Sequence, residues 1–319
     1  MLGWLAARVF AVDASVIEAD TSRFARIEGS EIDWMDEQRA RRPIREYLSA
    51  IDGEQSPINP ERAPKALSPI DPAAAWTTRG RHKVMFGYSL NYLIDNEHAV
   101  IVDVEATPTR ISKEIDATET MIERTEDRFD LKPDHIAADV AYGTGEMLGW
   151  LVERGIEPHI PVWDKAKRED GKLSREDFAY DKGRDVYVCP QGNTLKTTGR
   201  RHGGKTLLYR SSKYDCDACP FKPQCCPATP SRKIPRDINE EARDYARSLS
   251  GTDAYLQSGR ERKKIERLFG ELKRNLALTR LRLRGLTGAR DEFLLAATVQ
   301  NLKRLVKFAA IPPPTPTTA

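Results

Sequence analysis

No stretch of this 319-residue sequence reaches the roughly 18 to 20 continuous apolar residues that a membrane span requires. The apolar start, MLGWLAARVFAVDAS, carries Arg8 and no small-residue cleavage site, so it reads as a buried strand rather than a signal peptide. A cytoplasmic protein with reduced thiols is therefore expected. An excess of one charge is also lacking. The formal net charge is +3, too small to announce a nucleic-acid partner by itself. Cysteine is scarce, with five residues, and no internal repeat is visible.

What is present is unevenly placed. Asp95 to Asp130 holds eleven Asp and Glu against four Lys and Arg, whereas Arg260 to Arg284 holds ten Lys and Arg against three Asp and Glu. Two electrostatic faces, or simply two solvated helices of opposite sign, would both give this pattern. Apolar residues make up 39% and charged residues 31%, and the length suffices for one large core with a substantial insertion.

The pattern along the chain predicts an α/β fold. Arg8 to Ala19 reads as a strand. Asp36 to Ile51 reads as a helix that Pro43 must start or kink. Asp52 to Thr78, rich in Pro and Ser, reads as loop. Lys83 to Ile94 and Ala99 to Ala106 form a hairpin signal around Asp95 to His98. An amphipathic helix over Ser112 to Phe129 follows, then a short strand ending in HIAADV, a helix over Gly143 to Arg154 and a strand over Pro158 to Val162. This order, a three-strand meander and then αβ units, is that of RNase H-like mixed sheets flanked by helices. Residues 1–163 would form the first part of the core. Residues 164–237, which contain all five cysteines, would form a small β-containing insertion. Residues 238–310 would return as closing helices, with Phe293, Leu294, Ala297, Leu302 and Leu305 for packing in the last one. Residues 311–319 would be a disordered tail.

Three carboxylates sit where apolar patterning is strongest. Asp13 lies inside VFAVDASVI, Asp139 ends a short strand, and Glu266 adjoins the stripe Ile265, Leu268, Phe269, Leu272 and Leu276. Isolated buried carboxylates are costly, so such residues call for a cation. Three that converge from separate elements suit two Mg²⁺ or Mn²⁺ ions, which act on both oxygens of a phosphodiester displacement. Arg262, Glu266 and Lys273 fall within about 40° on a helix wheel. The carboxylate can then hold metal while the cations grip DNA phosphates, although a salt-bridge ladder has the same spacing.

These residues carry a resemblance. Arg262-x3-Glu266-x6-Lys273 resembles the end of the Tyr-Arg-Glu-Lys signature of bacterial insertion-sequence transposases of the RNase H-like DDE class. AVDASVIEAD from Ala11 and ADVAY from Ala138 resemble their first and second Asp motifs. The run from Asp71, CDACPFKPQCCP from Cys216 and RLRGLTGARDEFLLAATVQNLKRL from Arg282 resemble further parts of one subgroup. The resemblance implies that Asp13, Asp139 and Glu266 are the catalytic, metal-binding triad and that Arg262 and Lys273 contact DNA. Lys263, Lys264 and Arg274 are further DNA-binding candidates. It also implies cleavage at transposon ends and strand transfer into target DNA by a homodimer assembled on DNA. The signature Tyr would fall at Gly259, with Tyr255 one turn earlier. Relatives carry a helical region before the first catalytic strand, so a truncated copy is expected. A nuclease of the same fold, an inactive DNA-binding remnant and a zinc-ribbon interaction protein remain alternatives.

The cysteines pose a separate question. Cys189, Cys216, Cys219 and Cys225, with Cys226 adjacent, could supply four thiolates to a structural zinc or could be metal-free thiols.

Overall fold

The computed structural model describes residues 8–32, 42–52, 64–79, 83–109, 111–164 and 172–309. The chain forms two compact units, Met1–Asp139 with Thr252–Ala319, and Val140–Gly251. The inserted unit thus takes in the helix before Arg154 and the one after Asp237, whereas the sequence reading confined the insertion to 164–237. The expected disorder of 311–319 lies outside the described residues.

The first unit is a mixed α/β layer. Strand β1 (Val9–Glu18) begins with residues buried on both faces, as its near-continuous apolar run demands of a central strand. The short pair β2 (Ile27–Glu28) and β3 (Ala66–Leu67) frames helix α1 (Arg42–Asp52), in which Pro43 occupies the first turn. There its missing N–H costs nothing. Strand β4 (Ala75–Arg79) is a correction to the loop expected over Asp52 to Thr78. It pairs with the first residues of β5 (Lys83–Asp95), and β6 (Ile101–Pro108) takes the rest of the same edge. The other edge of β5 pairs antiparallel with β1, placing Asp13 opposite Tyr92. The meander β1-β5-β6 is the predicted one.

Helix α2 (Ile111–Phe129) lies against β6 and β5 through Met121 and Ile122. Arg124 fastens it by ion pairs of 2.7 Å to Asp103 and 2.8 Å to Glu105 on β6. Strand β7 (His135–Ala137) then pairs with β1 in parallel.

The second unit begins with α3 (Gly145–Glu153), capped by the Thr144 side chain, and β8 (Glu157–His159). Its antiparallel sheet runs β13-β12-β11-β10-β9, built from β9 (Ala179–Asp181), β10 (Val186–Val188), β11 (Thr194–His202), β12 (Thr206–Arg210) and β13 (Lys233–Asp237). Phe178, Tyr187, Leu195, Tyr209 and Ile234 form its core, with Cys189 and Cys225 against them. The short helices α4 (Lys213–Asp217) and α5 (Lys222–Cys225) carry the cysteine cluster, and α6 (Glu240–Leu249) follows. Buried Glu240 is held by Arg175 at 2.7 Å and Arg247 at 3.0 Å, which satisfies its charge.

Helix α6 still belongs to the second unit, and the chain re-enters the first at Thr252. Gly251, at φ 104°, and the Thr252 cap divide α6 from α7 (Asp253–Glu261), and α8 (Lys263–Arg274) follows after Arg262. Ile265, Leu268, Phe269 and Leu272 of α8 enter the core, where Phe269 stacks on Tyr92 at 5.1 Å. The last helix, α9 (Gly285–Ala309), packs through Ala289, Phe293, Ala297 and Gln300. Leu294, Leu302 and Leu305, expected to pack, are exposed. With apolar residues on both sides of this helix, periodicity alone does not select the inner face.

Candidate active site

The candidate residues Asp13, Asp139, Arg262, Glu266 and Lys273 all belong to the first unit. Asp13 sits on the β1 face that Tyr92 shares, since directly paired residues of an antiparallel ladder point the same way. The α8 core lies over that face. Parallel pairing of β1 with β7 ends at Ala11 opposite Ala137. Asp13 and Asp139 each lie two residues further along. The register therefore brings the two carboxylates out side by side, where the strands part. Strand β7 stops before Asp139, which occupies a loop residue rather than the strand end that was expected.

Arg262 closes the arrangement from the helical side. Its Nη1 donates to Asp13 Oδ2 at 3.1 Å, and its Nη2 lies 3.6 Å from Glu266 Oε1. The guanidinium thus spans two of the three acids. Glu266 is the most open of these groups, its side chain 58% exposed, which corrects the expectation of a buried carboxylate. It stands on the rim of the apolar stripe, where solvent and substrate can reach it.

The electrostatics record the crowding. Burial above all pushes the Asp13 carboxyl up to about 6, and the neighbouring charges of Asp139 and Glu266 push the same way. The Ala14 N–H, 2.8 Å from Asp13 Oδ1, and Arg262 oppose this rise. A carboxylate cluster with this excess of negative charge fits a divalent cation. Part of that role is filled by Arg262 in the present arrangement.

A fourth acid escaped sequence reasoning. Glu114, in the first turn of α2, accepts a hydrogen bond of 2.7 Å from buried Ser89 on β5. Burial raises its pKa, as do the charges of Asp13 and Asp139, against the pull of Ser89. An acid in the first turn of a helix is so ordinary that nothing in the sequence singles it out.

The expected DNA-contacting cations divide. Lys273 Nζ donates to Ser15 Oγ at 2.5 Å, tying α8 to β1 two residues from Asp13. Lys264 Nζ donates to the carbonyls of Asn96 and Glu97, at 2.8 and 2.7 Å, clamping the β5–β6 turn. Lys263 and Arg274 face solvent. Tyr255 is partly buried in α7, and burial raises its pKa.

In the second unit, Cys226 makes thiol hydrogen bonds to Cys216 and Cys225, and burial foremost pushes it up to about 11. Cys219 lies within electrostatic range of Cys225. Cys216, Cys219, Cys225 and Cys226 therefore lie near one another. Cys189 packs against the aromatic core of the unit.

Residues 188–306 match the family model described as the transposase DDE domain. The match includes Arg262, Glu266 and Lys273, as well as all five cysteines. No curated protein and no solved structure matches the chain.

Proposed function

We propose, with residues 188–306 identified as a transposase DDE domain, that this chain cleaves phosphodiester bonds at transposon ends and joins the freed ends to target DNA, and that its core is RNase H-like. DNA is the substrate class that such a domain implies. The observation that carries the finer reading is the approach of Asp139, from a loop, and Glu266, from a helix, to Asp13 on a strand, with Arg262 between Asp13 and Glu266.

Asp13, Asp139 and Glu266 would hold the divalent cations, Mg²⁺ or Mn²⁺. When bound, such ions polarise the phosphoryl group and stabilise charge on both the attacking and the leaving oxygen. The chain's own residues orient and neutralise. Arg262 offers a planar pair of donors that can turn from Asp13 to a non-bridging phosphate oxygen. Lys273, fixed on Ser15, holds α8 in register with β1 and keeps Glu266 above Asp13. Exposed Lys263 and Arg274 lie on the same helix, available to backbone phosphates. No covalent enzyme intermediate is needed, because positioning and charge stabilisation supply the catalysis.

The test is metal-dependent cleavage and joining of labelled transposon-end DNA by this chain and by its Glu266→Gln variant. Products from the chain alone, absent from the variant, are expected. DNA binding without products from either protein would refute the catalytic reading.

A further inference from the structure

The sheet of the second unit lays one face on its aromatic core. Leu195, Tyr209 and Ile234, on β11, β12 and β13, are buried there. Their neighbours Lys196, Arg210 and Lys233 therefore point the opposite way, because side chains alternate along a strand. The register sets these three side by side. Lys196 is paired with Arg210, and Arg210 with Lys233. All three are exposed. Like charges directly opposite one another in a ladder destabilise it. The strands supply no acid of their own, since Thr194 to Arg210 holds five Lys and Arg and no Asp or Glu. Among the described residues none of the three cations has an ion-pair partner. The row continues to Val186 on β10 and Asp181 on β9, but the Asp181 carboxylate is taken by Arg184 at 2.6 Å. Asp164 and Glu240, which line one cavity with Lys233, are held by Arg175, Arg243 and Arg247.

We propose that this row of three cations is a binding site for the phosphate backbone of duplex DNA, formed by none of the residues of the candidate active site. A ligand of opposite charge relieves the cross-strand repulsion that the free protein sustains. The dimensions agree. Adjacent strands lie about 4.8 Å apart, so the row spans about 10 Å. A single DNA strand carries one charge per roughly 3.4 Å of axis, so a row of that length faces about three phosphates. DNA is the polyanion favoured here, because the match to a transposase DDE domain over residues 188–306 includes all three cations. Lysine and arginine on phosphates fix register and carry no base information, so the contact serves any sequence. The inference rests on DNA being the substrate, not on the triad cutting it.

The test measures binding of the full chain to a labelled duplex by fluorescence anisotropy, in EDTA, over a range of salt concentrations. Without divalent cations, chemistry at the triad does not enter. The Lys196→Gln, Arg210→Gln, Lys233→Gln triple variant should lower the slope of log affinity against log salt by about 3, at about 0.9 per phosphate. The loss should be equal for transposon-end and unrelated duplexes. Its melting temperature without DNA should hold or rise, because the changes remove repulsion at exposed positions. A control that replaces three exposed cations of the first unit, Arg23, Arg128 and Lys132, by Gln should leave the slope nearly unchanged. A wild-type slope in the triple variant would overturn the proposal. So would an equal loss in the control, which would make net charge the cause, or a row that holds anionic vesicles but not DNA. Failure of the catalytic reading looks different: DNA held with the full slope but never cut when Mg²⁺ is supplied.

Discussion

The Arg262 guanidinium lies 3.1 Å from the Asp13 carboxylate, although 249 residues separate them in the chain. Each of these side chains is about one-fifth exposed, so the pair is screened less than a surface ion pair. Arg262→Ala should destabilise the metal-free chain by about 2 kcal/mol, below the 3 to 5 kcal/mol of fully buried pairs. Urea unfolding measures this. Added Mg²⁺ should raise the variant's midpoint more than the wild type's, because the ion replaces the lost positive charge. An equal rise in both proteins would argue that Arg262 and the cation do not share a site.

The raised pKa of Asp13 sets a pH dependence for cation binding. Its carboxyl is held up to about 6, so it is protonated below that value in the metal-free chain and must lose the proton to become a ligand. Affinity for Mn²⁺ should be level above about pH 7 and should fall by roughly tenfold per pH unit below 6. Proton release on binding should peak below that value. Calorimetry in buffers of different ionisation enthalpy reads both. The sign for folding is the reverse of the usual carboxylate case. A folded pKa above the unfolded one stabilises at acid pH, and that contribution is lost as pH rises through about 6. Asp13→Asn should therefore flatten the stability profile between pH 4 and 7, which thermal unfolding across that range checks.

Glu114→Gln keeps the size of the side chain and can keep the hydrogen bond to Ser89, but removes one negative charge beside Asp13 and Asp139. Cation affinity should fall by about tenfold, the order found for groups that support ligands without being ligands. The Asp13 titration, followed by NMR, should move to lower pH. An unmoved titration would place Glu114 outside the cluster's electrostatics.

Gln300 links three elements of the first unit. It accepts from the Tyr92 hydroxyl and donates to the Leu268 carbonyl, each at 2.9 Å. Gln300→Leu strands both partners and should cost about 1 to 3 kcal/mol. Combining it with Tyr92→Phe should cost less than the sum of the two single changes, which a double-mutant cycle in urea measures.

Much of this fold was legible in the sequence. Strands β1, β5 and β6 and helix α2 declare themselves by period, because each presents one consistent apolar pattern to one environment. Strand β4 did not. AWTTR sits among loop residues and becomes a strand because the free edge of β5 accepts it, a tertiary cause that no local window contains. The faces of α9 were illegible for a related reason: both carry apolar residues, and the leucines gather on the exposed one. Asp13, Asp139 and Glu266 stood out because an acid in an apolar run is conspicuous. Glu114 did not, since its importance lies wholly in what α2 leans against. The break at Gly251 and Thr252 was readable as punctuation between two helices, and weight given to those residues would have found it.

The span between Asp13 and Arg262 also sets a clock. β1 is made 249 residues before Arg262, and the face bearing Asp13 stays uncovered until α8 has been made. At about 5 to 20 residues per second, that interval is roughly 12 to 50 seconds. During it, the nascent chain carries first Asp13 alone and then Asp13 with Asp139, and never all three acids. A chain that stops anywhere before α8 therefore lacks Glu266 and leaves the Asp13 face of β1 without the apolar cover of Ile265, Leu268, Phe269 and Leu272.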